Sequence, residues 1–285
     1  MPRFLIAKLH IDLLAEQTTK KDILSALRQL PEGLNSLYEN VITRIQALKQ
    51  KQRDLAMTTL KWLTYAKEPL HAGALRHALA VTQGSKKIDP EELVCIEQLV
   101  SFCVGIVAFD KNSGIIRLEH DTIREYLESV FPADQTNIEI ARTCLSYLAF
   151  DVFSTACRDL GSLRDRIRNY ELSSYVAFHW ADHVRGGAEQ HLQAVVLTTF
   201  EHYGKRDSVS QLQMAKDPWF VLDDVLTDYW VKFDSAYHRS LLHLTSSHGL
   251  SNICKTLLKK YRRGNWLRMH SNRKRLYFSG ICTAD

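Results

Sequence analysis

From Leu34 to Leu48 the apolar residues Leu34, Leu37, Tyr38, Val41, Ile42, Ile45 and Leu48 recur every three or four positions. That spacing lays one stripe along a helix. A shorter helix precedes it, with Ile23, Leu27 and Leu30 on one face, Thr18 or Thr19 as its cap, and Pro31-Glu32-Gly33 as its stop. Leu55, Leu60, Trp62 and Leu63 predict a third helix over 53–66, broken by Pro69, and a fourth follows near 71–81. After the loop at Gly84-Ser85, Asp89-Pro90 supplies an N-cap with proline at the first helical position, predicting a helix that carries Ile96, Val100 and Cys103.

The stretch Val104–Leu127 then changes period. Two short alternating runs flank Asp110-Lys111-Asn112-Ser113-Gly114, a loop whose glycine can take the left-handed conformation a tight hairpin needs. Thr122 and Glu125 have capping-box spacing, and Ile123, Tyr126, Leu127 and Val130 repeat at helical intervals until Pro132. Three helices, a hairpin and a closing helix are the order of a winged helix. Further on, Ile138–Phe150, Ser173–Val184, Glu189–Tyr203 and Asp217–Phe233 read as helices. The aromatic stripes around Tyr175, Phe178 and Trp180, and around Trp219, Phe220 and Trp230, read as core.

Near the end, 238–250 runs into Ile253, Leu257 and Leu258 in the manner of one ankyrin repeat, with Leu242 and Thr245 where that motif has Pro and Ala. The fold expected is therefore mainly α. It comprises a helical segment (1–52), a winged helix (53–131), a second helical domain (132–237), a partial ankyrin-like helix pair (238–261), and a basic tail without periodicity (262–285), expected to be disordered. A lone repeat cannot bury its own face, so the array is expected to be cut short.

Composition narrows the function classes. The 285 residues are 45% hydrophobic and 24% charged, enough for two or three helical subdomains. The apolar runs are short, and Lys8, His10 and Asp12 interrupt the one near the N-terminus, which reads as an amphipathic helix of a cytoplasmic protein with no membrane partner. The six cysteines form no C-x-x-C framework and are expected to be buried free thiols. The net charge of +5 sits wholly in 262–285, which holds six Lys/Arg and one acid; the first 261 residues carry 31 of each sign. The body of the protein therefore has no overall attraction for phosphate backbones.

Several segments together resemble the large fungal NACHT-type receptors, the STAND class of signal-transducing NTPases related to animal NLR proteins. They are Phe4–His10, Leu30–Leu34 with Tyr38, Trp62–Ala66 with Pro69-Leu70, Ile115–Leu127, Cys144–Leu148 and Tyr175–Trp180. The winged-helix part also resembles a module catalogued under a GPI inositol-deacylase label, although no lipase G-x-S-x-G occurs in the chain. The resemblance implies an NTPase core before these helices, a winged helix that closes over bound nucleotide, and C-terminal repeats that sense a partner. The family's His-x-[Ser/Thr]-x-x-Glu-[Tyr/Phe] falls on His120, Thr122, Glu125 and Tyr126. That match implies that His120 touches a nucleotide phosphate when an NTPase module is present.

No glycine of this chain begins G-x-x-x-x-G-K-[ST], and Gly204-Lys205 is followed by Arg206. No NTP hydrolysis, cofactor or catalytic residue is therefore expected. The expected role is a non-catalytic regulatory and protein-interaction fragment of such a receptor, with protein partners on its helical and ankyrin-like surfaces. One alternative is a piece of a longer NTPase receptor whose upstream P-loop exons are missing.

A second alternative, DNA reading, meets an obstacle. The stretch before the wing, Asp89–Val100, holds four acids and no base, and the wing offers only Lys111 and Arg117. His179-Trp180-Ala181-Asp182-His183 approaches a zinc-protease spacing but has Asp in place of Glu and no third ligand. The pairs Glu91/Glu92 and Asp223/Asp224 diverge around a helix and read as solvated faces.

Overall fold

A computed structural model describes residues 18–28, 33–215 and 239–263, with a few isolated positions before residue 18. The expected amphipathic N-terminal helix, the helix Asp217–Phe233 with its aromatic stripe, Asp223/Asp224, Cys282 and all but the first two residues of the basic tail lie outside these described residues.

The chain opens with α1 (Lys20–Arg28), whose cap is Thr19: its hydroxyl accepts the Asp22 amide at 3.2 Å. Helix α2 (Leu34–Gln46) buries Leu37, Tyr38, Val41, Ile42 and Ile45, the predicted stripe. Its end comes before Leu48, whose amide turns back to the Ile45 carbonyl.

The winged helix follows. Helix α3 (Gln50–Tyr65) leads to β1 (Leu70–His71), α4 (Ala72–Ala80), α5 (Ile96–Phe102), β2 (Val107–Asp110), β3 (Ile115–Leu118) and α6 (Asp121–Val130). The strands form an antiparallel sheet of order β1-β3-β2, with Leu70 opposite Ile116 and Phe109 opposite Ile116 on the other side. The hairpin is the predicted one: Gly114 adopts φ +68°, and its amide closes the turn onto the Asp110 carbonyl. Strand β1 was not legible in the sequence. Two residues after a proline make no period, and only pairing with β3 gives them a strand's hydrogen bonds.

Two expectations are corrected. The helix predicted from Asp89 is a single 3-10 turn, Pro90–Glu92, and α5 begins afresh at Ile96. Asp89 does cap that turn, accepting the Glu91 amide at 3.0 Å, but Arg76 then donates to the Val94 carbonyl at 2.7 Å and holds the link extended. The capping box expected of Thr122 and Glu125 is absent, because the N-cap of α6 is His120.

Beyond α6 the helices are denser than predicted. Helix α6 stops at Val130, ahead of Pro132 as expected, and Pro132 is also the N-cap of α7 (Ala133–Leu148), which starts five residues ahead of the expected Ile138. Then come α8 (Leu160–Asn169), α9 (Ser173–Val184), α10 (Ala188–Thr199) and α11 (Tyr203–Met214). The helix expected over Glu189–Tyr203 stops at Thr199, and Tyr203 opens the next one. Tyr175 and Trp180 are core as expected, whereas Phe178 is half-buried. Cys103, Cys144 and Cys157 are buried free thiols, but Cys95 is exposed and Cys254 half-buried.

Helices α12 (Leu241–Ser247) and α13 (Ser251–Arg263) form a pair around Gly249, whose φ is +69°. The pair stacks on α10, where buried Glu189 accepts the Ile253 amide at 2.8 Å. Helix α13 continues two residues past Tyr261, into the stretch assigned to the tail.

Helix α7 holds the two halves together. It packs against α3 and α4 on one side and against α9 and α10 on the other. It can do so because Thr136, Ile140, Ala141, Cys144, Leu145, Tyr147 and Leu148 are all buried, a stripe about half the circumference wide, while Gln135 and Arg142 on the opposite face stay exposed. Each side carries a buried imidazole. His77 of α4 lies 2.8 Å from the Tyr147 hydroxyl, and His183 of α9 lies 2.8 Å from Asn137 Oδ1. The other His183 nitrogen lies 2.7 Å from Tyr175 Oη, which in turn accepts the Lys67 amide at 3.2 Å. With every partner supplied, a neutral ring is fully satisfied. Desolvation lowers the pKa of both histidines, His183 to about 3.

Both features generate tests. An unfolded histidine takes up a proton near pH 6.5, while folded His183 resists until about pH 3, so stability is present above pH 6.5 and is lost as pH falls. Urea titrations are expected to show a loss of about 2–3 kcal/mol from this group by about pH 4.5; a flat profile would show that His183 is not held neutral. The two close-packed helical glycines should behave oppositely. A Cβ on Gly204 would meet the Ser154 carbonyl oxygen at 2.1 Å, backbone that cannot move aside, so Gly204→Ala is expected to cost about 2 kcal/mol. A Cβ on Gly73 would meet only the exposed Glu171 carboxylate, which can swing away, so Gly73→Ala is expected to be within about 0.5 kcal/mol of neutral. Equal losses would refute this distinction.

Candidate functional site

The corner between β3 and α6 carries the one site residue the sequence singled out. Strand β3 ends at Leu118, and His120 follows with an extended backbone, φ −157° and ψ 152°. Its carbonyl accepts the Ile123 amide, and its Nδ1 accepts the Thr122 amide at 3.2 Å, so the ring itself caps the helix. Nδ1 also lies 2.9 Å from Thr122 Oγ1, which lies 2.7 Å from the hydroxyl of Tyr38 on α2. His120 is half-buried; Tyr38 is 2% exposed and packs its ring 5.3 Å from that of Tyr126. Burial raises the pKa of the Tyr38 phenol, partly offset by its bond to Thr122 and assisted by nearby Glu125. Arg124 on the same helix donates to the Thr64 carbonyl, tying α6 to the end of α3.

Of the motif residues that the resemblance named, the structure brings His120 and Thr122 into contact and places Tyr126 against Tyr38. Glu125 is exposed. Thr122 bonds the His120 ring and Tyr38 in place of the expected capping box. Tyr38 lies 84 residues from Thr122, and no local spacing could join them.

The remaining candidates resolve into structural roles. His179 Nδ1 lies 2.9 Å from Asp182 Oδ2, and its Nε2 lies 3.5 Å from Glu68 Oε2. His183, one turn on, is committed to Tyr175 and Asn137. The two imidazoles therefore serve different partners, and among the described residues no group of three or more His, Cys, Asp or Glu side chains could hold a metal ion.

Gly204-Lys205-Arg206 binds helix ends in place of phosphate. Lys205 donates to the Leu148 and Ala149 carbonyls at 3.3 and 2.6 Å. Arg206 donates to Phe200 and Glu201 at the end of α10 at 2.5 and 2.8 Å. Cys157 sits in a bidentate clasp: Gln211 accepts its amide at 2.6 Å and donates to its carbonyl at 2.9 Å. Burial raises the pKa of its thiol.

Helix α5, which a DNA-reading winged helix would present to the major groove, reads Ile-Glu-Gln-Leu-Val-Ser-Phe and carries no base. Among the described residues no helix is long and apolar enough to cross a membrane.

Comparison with known proteins agrees with this architecture. Neither the curated proteins nor the solved structures contain a match to this chain. Residues 43–145, from the last turn of α2 through most of α7, match the family described as GPI inositol-deacylase, winged helix domain.

Proposed function

We propose that this chain is a non-catalytic regulatory and protein-interaction portion of a NACHT/ankyrin-type signalling receptor, acting in the cytoplasm. In this reading its winged helix docks on a nucleotide-binding module, in cis or in trans, and the terminal helix pair serves partners as an ankyrin-like unit. The observation that carries the reading is a winged helix of the matched type whose third helix has no cation to offer DNA, combined with a histidine at the β3–α6 corner.

His120 suits a phosphate contact. Its Nδ1 is occupied by the helix cap, so a neutral ring keeps its proton on Nε2, and an imidazole N–H is a good donor to a phosphate oxygen. Contact with nucleotide in the closed state would then bias an open–closed equilibrium, because the ligand favours whichever docking places its phosphate against that donor. Enzymatic turnover has no support in the chain. There is no P-loop to cradle the phosphates, and the one Gly-Lys pair is buried in helix-end contacts.

Purified protein is expected to turn over neither ATP nor GTP above background; turnover that co-purifies with the monodisperse chain would overturn the non-catalytic reading. Protein ending at Arg263 is expected to show no duplex DNA binding with a steep loss of affinity between about 50 and about 200 mM salt. Such a slope would move the function to nucleic acid. The docking itself is tested by sequencing the full transcript. An in-frame upstream segment encoding G-x-x-x-x-G-K-[ST] supports docking in cis, and a product that begins at Met1 removes it.

A further inference from the structure

We propose that Tyr38 and Thr122 are positioning residues that lock His120 in its Nε2–H tautomer. The β3–α6 corner then presents a hydrogen-bond donor to an oxyanion and does not ligate a metal ion through that ring nitrogen. The identification of the oxyanion as a nucleotide phosphate rests on the functional reading above; the tautomer does not.

The direction of every proton in the cluster follows from one fixed donor. The Thr122 backbone amide points at His120 Nδ1 from 3.2 Å, and an amide N–H can only donate. Nδ1 therefore carries its lone pair toward Thr122, and the single proton of a neutral imidazole is left on Nε2. The Thr122 hydroxyl, 2.9 Å from the same nitrogen, has one favourable orientation, which is to share that lone pair as a second donor. Its oxygen is then free to accept from the Tyr38 hydroxyl at 2.7 Å. Tyr38 is 2% exposed, so water competes poorly for its proton. The chain runs one way, from Tyr38 to Thr122 to His120. Moving the ring proton to Nδ1 would place it against an amide proton and turn both hydroxyls around.

The lock also couples distant segments. Tyr38 belongs to α2, which packs on α3 and α6, while His120 and Thr122 belong to the winged helix. The hydroxyl chain is closed only while α2 is docked, so the helix preceding the winged helix sets whether the donor is held. Neither a metal-site reading nor a simple helix cap predicts that dependence.

The experiment is a long-range nitrogen–proton correlation on the full chain, labelled with nitrogen-15 histidine, at about pH 8, where an ordinary imidazole is neutral. The wild-type protein is expected to show His120 at the limiting shifts of a single Nε2–H tautomer. Averaged shifts, or an Nδ1–H signal, would overturn the proposal. In Tyr38→Phe, which keeps the ring against Tyr126, the minor tautomer is expected to rise about fivefold, the factor that one lost hydrogen bond carries. A tautomer still fully locked in that variant would leave the backbone cap as its sole cause and refute the role of Tyr38. Thr122→Val supplies a second variant with the same expected direction should Tyr38→Phe fail to fold. Equimolar zinc is expected to leave the His120 resonances unmoved, and a zinc-induced shift would overturn the donor assignment. None of these readouts uses nucleotide. A failure of nucleotide docking would leave them unchanged, and an averaged tautomer would sink this proposal without touching the docking reading.

Discussion

Two neutral imidazoles, one on each side of α7, are the constraint on which the rest of the structure depends. The packed face of α7 is largely closed to water, so the buried Tyr147 hydroxyl and the half-buried Asn137 amide look to the flanking elements for partners. They find His77 from the winged helix and His183 from α9. Leaving one of these groups unpaired costs more than the bond itself contributes, which makes the match selective as well as stabilising. Trp62 completes the joint, with its ring 5.6 Å from that of Tyr175 and 6.4 Å from that of His183. The winged helix and the second helical region thus share one polar and aromatic seam.

Several cationic side chains in this chain serve the fold as well. Lys205 and Arg206 close the ends of α7 and α10, Arg185 donates to the His248 carbonyl, and Arg166 donates to the Thr155 carbonyl and the Ser208 hydroxyl. Helix ends leave carbonyls without partners inside the helix, and long basic side chains supply donors to them. Several residues that a charge count would offer to nucleic acid are spent on the fold. The third helix of the winged helix has no base left to contribute.

The corner at His120 shows the same logic at smaller scale. A capping role and a ligand-facing role are often treated as alternatives for a histidine at a strand end. Here the first enables the second: by occupying Nδ1, the cap defines what Nε2 is free to do. The hydroxyls of Thr122 and Tyr38 extend the constraint from a local turn to the packing of α2 on α6.

How much of this was legible in the sequence follows from the range of each interaction. Period alone located α2, α3, α4 and α9 to within a few residues, because one buried face imposes a 3–4 repeat whatever it packs against. The Asp110–Gly114 turn was equally plain, since its glycine answers a local backbone demand. His120 stands out by resemblance, whereas the spacing of Thr122 and Glu125 suggests a capping box that His120 itself replaces.

What the sequence could not supply were outcomes decided across distance. Strand β1 exists because β3 pairs with it. The helix expected from Asp89 breaks because Arg76 claims the Val94 carbonyl. The two histidines at metal-like spacing are committed separately, His183 to Asn137 and Tyr175 and His179 to Asp182 and Glu68. Tyr38 meets Thr122 only through the docking of two helices. Local periodicity and turn chemistry act within one element and can be read from the chain. The choice of partner for each buried polar group is settled only when desolvation has removed water as the alternative, and that happens in the tertiary structure.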